Sequence, residues 1–329
     1  MLGIHQVDRA LVRCPAMAKP LATAYHSCDF SWEDLRIEAE PIVAAQERAG
    51  ILEGQLAQDN PQACSSKRLP PTGVARSQLP SSLASSSGPC TKDQAWDSFY
   101  QSTARSAKFF KERRYLLLEF PFLASQQPLH VIELGCGYGA SLLPVLKTNP
   151  QARATATDVA PTCLQQLREV LEREGVLDHA ARVVTFVANS ACPDSRPLFR
   201  GVDADVALIM FTLSAVRGAE QAIMLDNAYA ALKPGGSLCI RDHGLFDMVQ
   251  LRIPSEQWLA PNTYQRGDGT LAYFFSTQDL ADKARAAGFQ VRECSYVTVL
   301  NTNRKMGLKL RRVFVHGVFV KPECTASIA

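Results

Sequence analysis

Residues 129–140 read LHVIELGCGYGA. A short apolar run, Leu129 to Leu134, passes straight into glycines at alternate positions, Gly135, Gly137 and Gly139. A run of that length suits a strand buried on both faces of a sheet. Glycines at this spacing permit the tight turn out of the strand and let a ligand come up against bare backbone. Ser141 to Lys147 then reads as a helix, so the local unit is strand, glycine turn, helix.

Working outward, the same alternation repeats. Ala152 to Asp158 predicts strand 2, Pro161 to Glu174 an amphipathic helix opened by proline, Arg182 to Ala188 strand 3 and Ala204 to Met210 strand 4. Glu220 to Leu232 predicts a helix stopped by Lys233-Pro234-Gly235-Gly236, and Ser237 to Arg241 strand 5. After an insertion, Thr277 to Ala287 is helical and closed by Gly288. Two long strands follow, Phe289 to Leu300 and Leu310 to Val320, with no helix between them. The expected fold class is α/β: a mostly parallel, seven-stranded sheet with helices on both faces and a terminal antiparallel hairpin.

Upstream, residues 1–59 read as an extension with one short helix, capped by Ser31, with Glu33 and Asp34 in its first turn and Pro41 as a breaker. Residues 60–92 are rich in Ser and Pro and carry Lys67, Arg68, Arg76 and Lys92 with no acid. Such a segment cannot bury enough apolar area to offset its chain entropy, so a disordered linker is expected. The extension as a whole is therefore expected to be largely disordered, with the catalytic domain at 93–322 and a tail at 323–329.

Apolar residues make up 47% of the 329, enough for a sizeable core, and the net charge of +3 leaves room only for local basic patches. No apolar run approaches a membrane span, so no membrane partner is expected. The ten cysteines include no Cys-x-x-Cys pair, which argues against zinc; no metal is expected. This usage suits a reducing compartment, cytoplasmic or nuclear. The first 28 residues hold Arg9, Arg13 and Lys19 against one acid, Asp8, which leaves a mitochondrial or plastid address open.

The glycine loop alone is ambiguous, because Gly135-x-Gly137-x-x-Ala140 also fits a dinucleotide fingerprint. Asp158, closing strand 2, could bind ribose hydroxyls in either case. Glu133 stands two residues before the first glycine, where an acid can meet a cationic methionine group. Together with Gly139 and the closing hairpin it favours S-adenosyl-L-methionine as cofactor.

The flanks narrow the choice. Residues 96–100 read WDSFY, 109–114 FFKERR, 211–216 FTLSAV, 241–247 RDHGLFD, 264–270 YQRGDGT, 273–275 YFF and 311–317 RRVFVHG. In this order the blocks resemble, over roughly residues 93–322, the class I (Rossmann-like) methyltransferases that make 3-methylcytidine in the tRNA anticodon loop. The resemblance implies that Trp96 and Tyr100 close over the cofactor. It extends the cofactor set to Glu133, Gly135, Gly137, Gly139, Asp158, Met210 and Asn189, the last standing where an Asp is common. Arg114 and His243 stand where members have His and Tyr. It also implies tRNA as substrate, position 32 as target and, in parts of the family, an aminoacyl-tRNA synthetase or other tRNA-presenting protein as partner.

Cytosine N3 carries a lone pair at neutral pH, so such chemistry needs alignment more than a strong base. The product base is cationic. Asp242, with Arg241 beside it at the end of strand 5, is the expected catalytic group; a structural Asp capping the next turn is the competing reading. Lys111, Arg113, Arg114, Arg266, Arg304, Lys305, Lys309, Arg311 and Arg312 are the expected RNA contacts. A methyltransferase acting on a protein or small molecule is the alternative.

Overall fold

The computed structural model describes residues 25–59, 96–101, 111–303 and 307–323. Its main sheet contains β1 (Leu129–Leu134), β2 (Ala152–Asp158), β3 (Val183–Val187), β4 (Ala204–Met210), β5 (Leu232–His243), β9 (Gln290–Asn303) and β10 (Leu308–Val320). The strand order is β3-β2-β1-β4-β5-β10-β9. Strands β1 to β5 pair in parallel, and β10 runs antiparallel to both β5 and β9. The expected hairpin closes the sheet. The winding reverses between β1 and β4, which opens a crevice at their carboxyl ends. A small sheet of β6 (Trp258–Ala260), β7 (Thr263–Gln265) and β8 (Leu271–Tyr273) fills the insertion after β5.

Side-chain alternation along the strands divides the core into two layers. Val206, Leu208 and Met210 of β4 face one layer, and Ala207 and Ile209 face the other. The helices are α1 (Trp32–Asp59), α2 (96–101), α3 (Leu116–Glu119), α4 (Leu142–Thr148), α5 (Pro161–Arg173), the single turns α6 (His179–Arg182) and α7 (Arg196–Phe199), α8 (Gly218–Ala231) and α9 (Thr277–Ala286). The first layer is covered by α3, α4 and α5, through Leu116, Phe120, Leu143 and Leu167. The second is covered by α8 and α9, through Leu225, Ala228, Leu280 and Ala284.

The N-terminal segment departs from expectation. Ser31 caps α1, its Oγ accepting from the Asp34 N–H at 3.2 Å, but the helix runs 28 residues through Pro41. Proline inside a helix removes one hydrogen bond and costs about 3 kcal/mol. Docking offsets that cost: Leu35, Ala39 and Val43, one residue per turn, are buried against Phe246 and Val313. Gly50 continues the stripe, where a Cβ would stand 2.8 Å from Trp258 Cβ. Ahead of the helix, Asp29 N–H donates to the Thr298 carbonyl and Thr298 N–H to that of Ser27, each at 3.0 Å, covering part of the outer edge of β9. Trp32 stacks on Tyr296 with centroids 4.2 Å apart. The one helix expected in this extension is therefore long, not short, and packs on the catalytic domain; residues 1–24 lie outside the described residues. The expected linker at 60–92 lies outside the described residues.

Candidate active site

A cavity of about 680 Å³ opens at the carboxyl ends of β1, β2 and β4. The glycine loop forms one wall. Gly135, Gly137 and Gly139 have φ of +75°, +52° and +77°, a region that side chains with a Cβ enter at a cost. A Cβ on Gly135 would lie 2.3 Å from Thr212 Cγ2, and one on Gly137 2.9 Å from the Tyr100 hydroxyl. Side chains are excluded there because Thr212 and Tyr100 already fill the space a Cβ would need. Gly139 does a different job: its Cβ would strike Leu167 of α5 at 2.2 Å, so it permits helix packing and is not among the cavity-lining residues.

Asp158 braces the loop from the end of β2. Its two oxygens accept from Gly137 N–H at 2.9 Å and Ala160 N–H at 3.0 Å. Burial pushes its pKa up, opposed by those bonds. It lines the cavity with Asn189 and Met210, and α2 supplies Trp96, Phe99 and Tyr100. Tyr100 meets Tyr138 edge-on, centroids 5.1 Å apart.

Glu133 is fully buried behind the loop, and neither carboxylate oxygen has a hydrogen bond of normal geometry. Burial pushes its pKa up to about 8; the Arg113 charge and the neighbouring Ser141 hydroxyl oppose the rise. Arg113 lines the cavity. One of its guanidinium nitrogens donates to Ser141 Oγ at 3.1 Å and to the Met210 carbonyl at 3.4 Å.

On β5, neighbours must face opposite ways. Arg241 points to the layer covered by α3, where it pairs with Glu119 and donates to the Tyr25 hydroxyl at 2.8 Å. Glu119 also accepts from His316 Nδ1 at 3.0 Å, and the Glu119 and Arg241 side chains are 1% and 4% exposed. Asp242 points the other way. Its oxygens accept from Ser214 N–H at 2.9 Å and His243 N–H at 2.8 Å. Burial pushes its pKa up to about 6, against those bonds. Neither residue lines the cavity. The expected catalytic pair is therefore a buried ion-pair partner and a brace for the turn after β4. His243 holds a hydrogen bond of 3.0 Å between Nε2 and Arg266; burial and the charges of Arg266 and Arg312 push its pKa down to about 3.

The basic residues divide. Lys111 is exposed and Arg113 half-buried, and both line the cavity. Arg114 is half-buried. Arg266 faces His243, Arg311 pairs with Glu38 of α1 at 2.8 Å, and Arg312 pairs with Asp247 at 2.8 Å. Lys309 is exposed. Arg304 and Lys305 lie outside the described residues. Among the described residues no cluster of three or more metal-ligating side chains occurs, and no helix is long and apolar enough to cross a membrane.

A methyltransferase-domain model matches residues 105–294. A Drosophila melanogaster protein named tRNA N(3)-methylcytidine methyltransferase Mettl2 is 35% identical over 236 residues, covering 69% of this chain and 70% of its own. The chain belongs to the tRNA N(3)-cytidine methyltransferase family. A Saccharomyces cerevisiae member, tRNA(Thr) (cytosine(32)-N(3))-methyltransferase, is 34% identical over 238 residues, covering 69% of this chain and 37% of its own. The fold is shared with an S-adenosylmethionine-dependent methyltransferase from Anabaena variabilis, with TM-score 0.52, 15% identity, and coverage of 70% of this chain and 96% of that one.

For a member of this family the cofactor is S-adenosylmethionine, and the residues present fit it. The cavity volume lies within the range of small-ligand pockets. Gly135 and Gly137 line the cavity with bare backbone; Glu133 is fully buried behind them and does not itself line the cavity, so its carboxylate could act on a cationic amino-acid group only through the loop. Sequence reasoning gave no role to Tyr115, Phe211 and Thr212, which also line the cavity. A signal existed for two of them: Phe211 and Thr212 are the first residues beyond β4, where ligands of open α/β sheets sit.

Proposed function

We propose that this protein methylates N3 of a cytidine in the tRNA anticodon loop, at position 32. The observation that carries the reading is one cavity that joins a complete glycine cradle to an aromatic-walled space beyond β4, in a chain of this family. S-adenosylmethionine supplies an electrophilic sulfonium methyl. Asp158 would hold the ribose, Asn189 and Met210 would flank the adenine, and Gly135 and Gly137 would lie against the amino-acid portion with Glu133 behind them. Trp96 and Tyr100 would cover the site and keep water out. Arg113, set between Ser141 and Phe211, belongs to this cofactor side.

Because N3 has a free lone pair, the chain's task is alignment at roughly 3–3.5 Å. N3 is hidden in a base pair, so the base enters unpaired or flipped. Asp242 acts as a positioning residue: it ties the turn at Ser214 to the end of β5, and so sets the wall at Thr212 and Ala215. Lys111 and Lys309 are the exposed cations suited to phosphate contact. An aminoacyl-tRNA synthetase or similar tRNA-presenting protein is the partner class that fits this substrate, and the cytoplasm is the compartment. The test is nucleoside mass analysis of tRNA incubated with protein and labelled cofactor. The expected product is 3-methylcytidine, lost when position 32 is changed to uridine. Any other methylated nucleoside, or none with the presenting partner supplied, refutes the reading.

A further inference from the structure

The cavity wall nearest the end of β4 is built from two aromatic rings that no role above uses, Tyr115 and Phe211. They come from distant segments, yet each carries an arginine on one face. The Arg241 guanidinium carbon lies 4.8 Å from the Tyr115 centroid, and that of Arg113 lies 4.9 Å from the Phe211 centroid. Both arginines are themselves fixed: Arg241 by Glu119 and by the ring of Phe314 at 4.4 Å, Arg113 by Ser141 and the Met210 carbonyl. Phe314 in turn meets Phe211 edge-on, at 5.6 Å and 83°, while His243 meets another edge of Phe211 at 5.6 Å. Each ring is thereby backed by fixed neighbours, and both line the cavity.

Phe211 is also strained. Its φ of +61° is a conformation that bulky residues avoid, and its N–H is held by the Arg241 carbonyl at 2.8 Å. A glycine would sit there without strain. A large ring persists in such a backbone only where its surroundings over-determine it, and such places cluster at functional sites.

We infer that Tyr115 and Phe211 form the aromatic side of the slot on which the target pyrimidine stacks, with Arg241 and Arg113 stiffening the rings from behind. The inference rests on the nucleobase substrate proposed above. A flat base offers two π faces, and aromatic walls bind them without demanding a particular hydrogen-bonding edge. The slot lies beside the glycine cradle, so a stacked base has its plane and distance to the cofactor set together. Arg241 is thus a positioning residue, acting through Tyr115.

The test uses the full-length protein with tRNA carrying a fluorescent pyrrolocytosine at position 32, beside steady-state kinetics on ordinary tRNA. Binding to the native chain should quench the fluorophore by stacking. Phe211→Leu and Tyr115→Leu should abolish the quench and lower kcat/KM for tRNA about ten-fold or more each, as loss of a base–aromatic stack does. Cofactor affinity by calorimetry should stay within about two-fold. Phe211→Tyr and Tyr115→Phe should restore both stacking and turnover, which a packing defect would not predict. Full quenching in the leucine variants overturns the slot. So does a loss confined to cofactor affinity, which would make the rings cofactor walls. Mass analysis of the native product keeps the two claims apart: a product other than 3-methylcytidine refutes the substrate, while the fluorescence reports the slot without turnover.

Discussion

The two halves of the cavity are built on different principles. The half proposed for the cofactor, around β1 and β2, has a local core of backbone within residues 135–160, bare Gly135 and Gly137 braced by the Asp158 carboxylate, to which Trp96, Tyr100 and Asn189 add side chains from elsewhere in the chain. The half proposed for the acceptor, towards β4, β5 and β10, rests on side chains from separate segments: Tyr115 and Phe211 line the cavity, and Glu119, Arg241, His243, Phe314 and His316 pack behind them without lining it. A backbone site needs only the right local turn. A side-chain site needs the whole tertiary arrangement, including buried charges whose removal leaves partners unpaired.

That contrast can be broken at its strongest point first. Glu119 serves Arg241 and His316 at once in a buried setting. Glu119→Ala should cost about 3–5 kcal/mol of stability, because it leaves a buried guanidinium unpaired. Glu119→Leu combined with Arg241→Met should recover much of it, since a well-packed apolar pair can replace a buried ion pair. Denaturant unfolding measures both, and a loss below about 1 kcal/mol for Glu119→Ala would show that the acceptor half does not depend on this pair.

The cofactor half should respond in binding instead. Gly135→Ala places a Cβ against Thr212 and forces alanine into positive φ. S-adenosylmethionine affinity should fall about 100-fold, or roughly 2.8 kcal/mol. Asp242→Ala should change that affinity far less, and equal losses by calorimetry would erase the distinction between the halves.

A further effect concerns Glu133, buried behind the glycine loop. The folded-state pKa of Glu133 is raised, from its ordinary 4.5 to about 8. The folded state therefore holds this proton more tightly than the unfolded chain. The associated stability is complete below about pH 4.5 and is lost as pH rises toward 8. Cofactor-free protein should melt at lower temperature near pH 8 than near pH 5, and Glu133→Gln should flatten that slope. An unchanged slope in the variant would assign the pH response to other groups.

The α1 segment shows why part of this molecule was hard to read. Leu35, Ala39, Val43 and Gly50 form a helical stripe that is visible in the sequence, yet Pro41 argues for an early stop. Only the surface formed by Phe246, Val313 and Trp258, far away in the chain, makes the long helix worthwhile. Likewise, the side-by-side positions of Arg241 and Asp242 already exclude a shared side of a strand, because successive side chains alternate. What each one faces depends on Glu119 and Ser214, which strand periodicity does not bring together.

The sequence by itself determined the alternating strands and helices, the closing hairpin and the glycine cradle with Asp158. These follow from local rules: apolar periodicity, glycine's access to positive φ, and turn chemistry. The tertiary structure alone decided that Arg241 is buried against Glu119, that Arg113 lines the cavity over the Phe211 ring, that α1 packs against Phe246 and Val313, and that Tyr115 and Phe211 line the same cavity. Those outcomes are set by contacts between residues far apart in the chain. Charge pairing and ring packing there are fixed only once the sheet has brought the segments together.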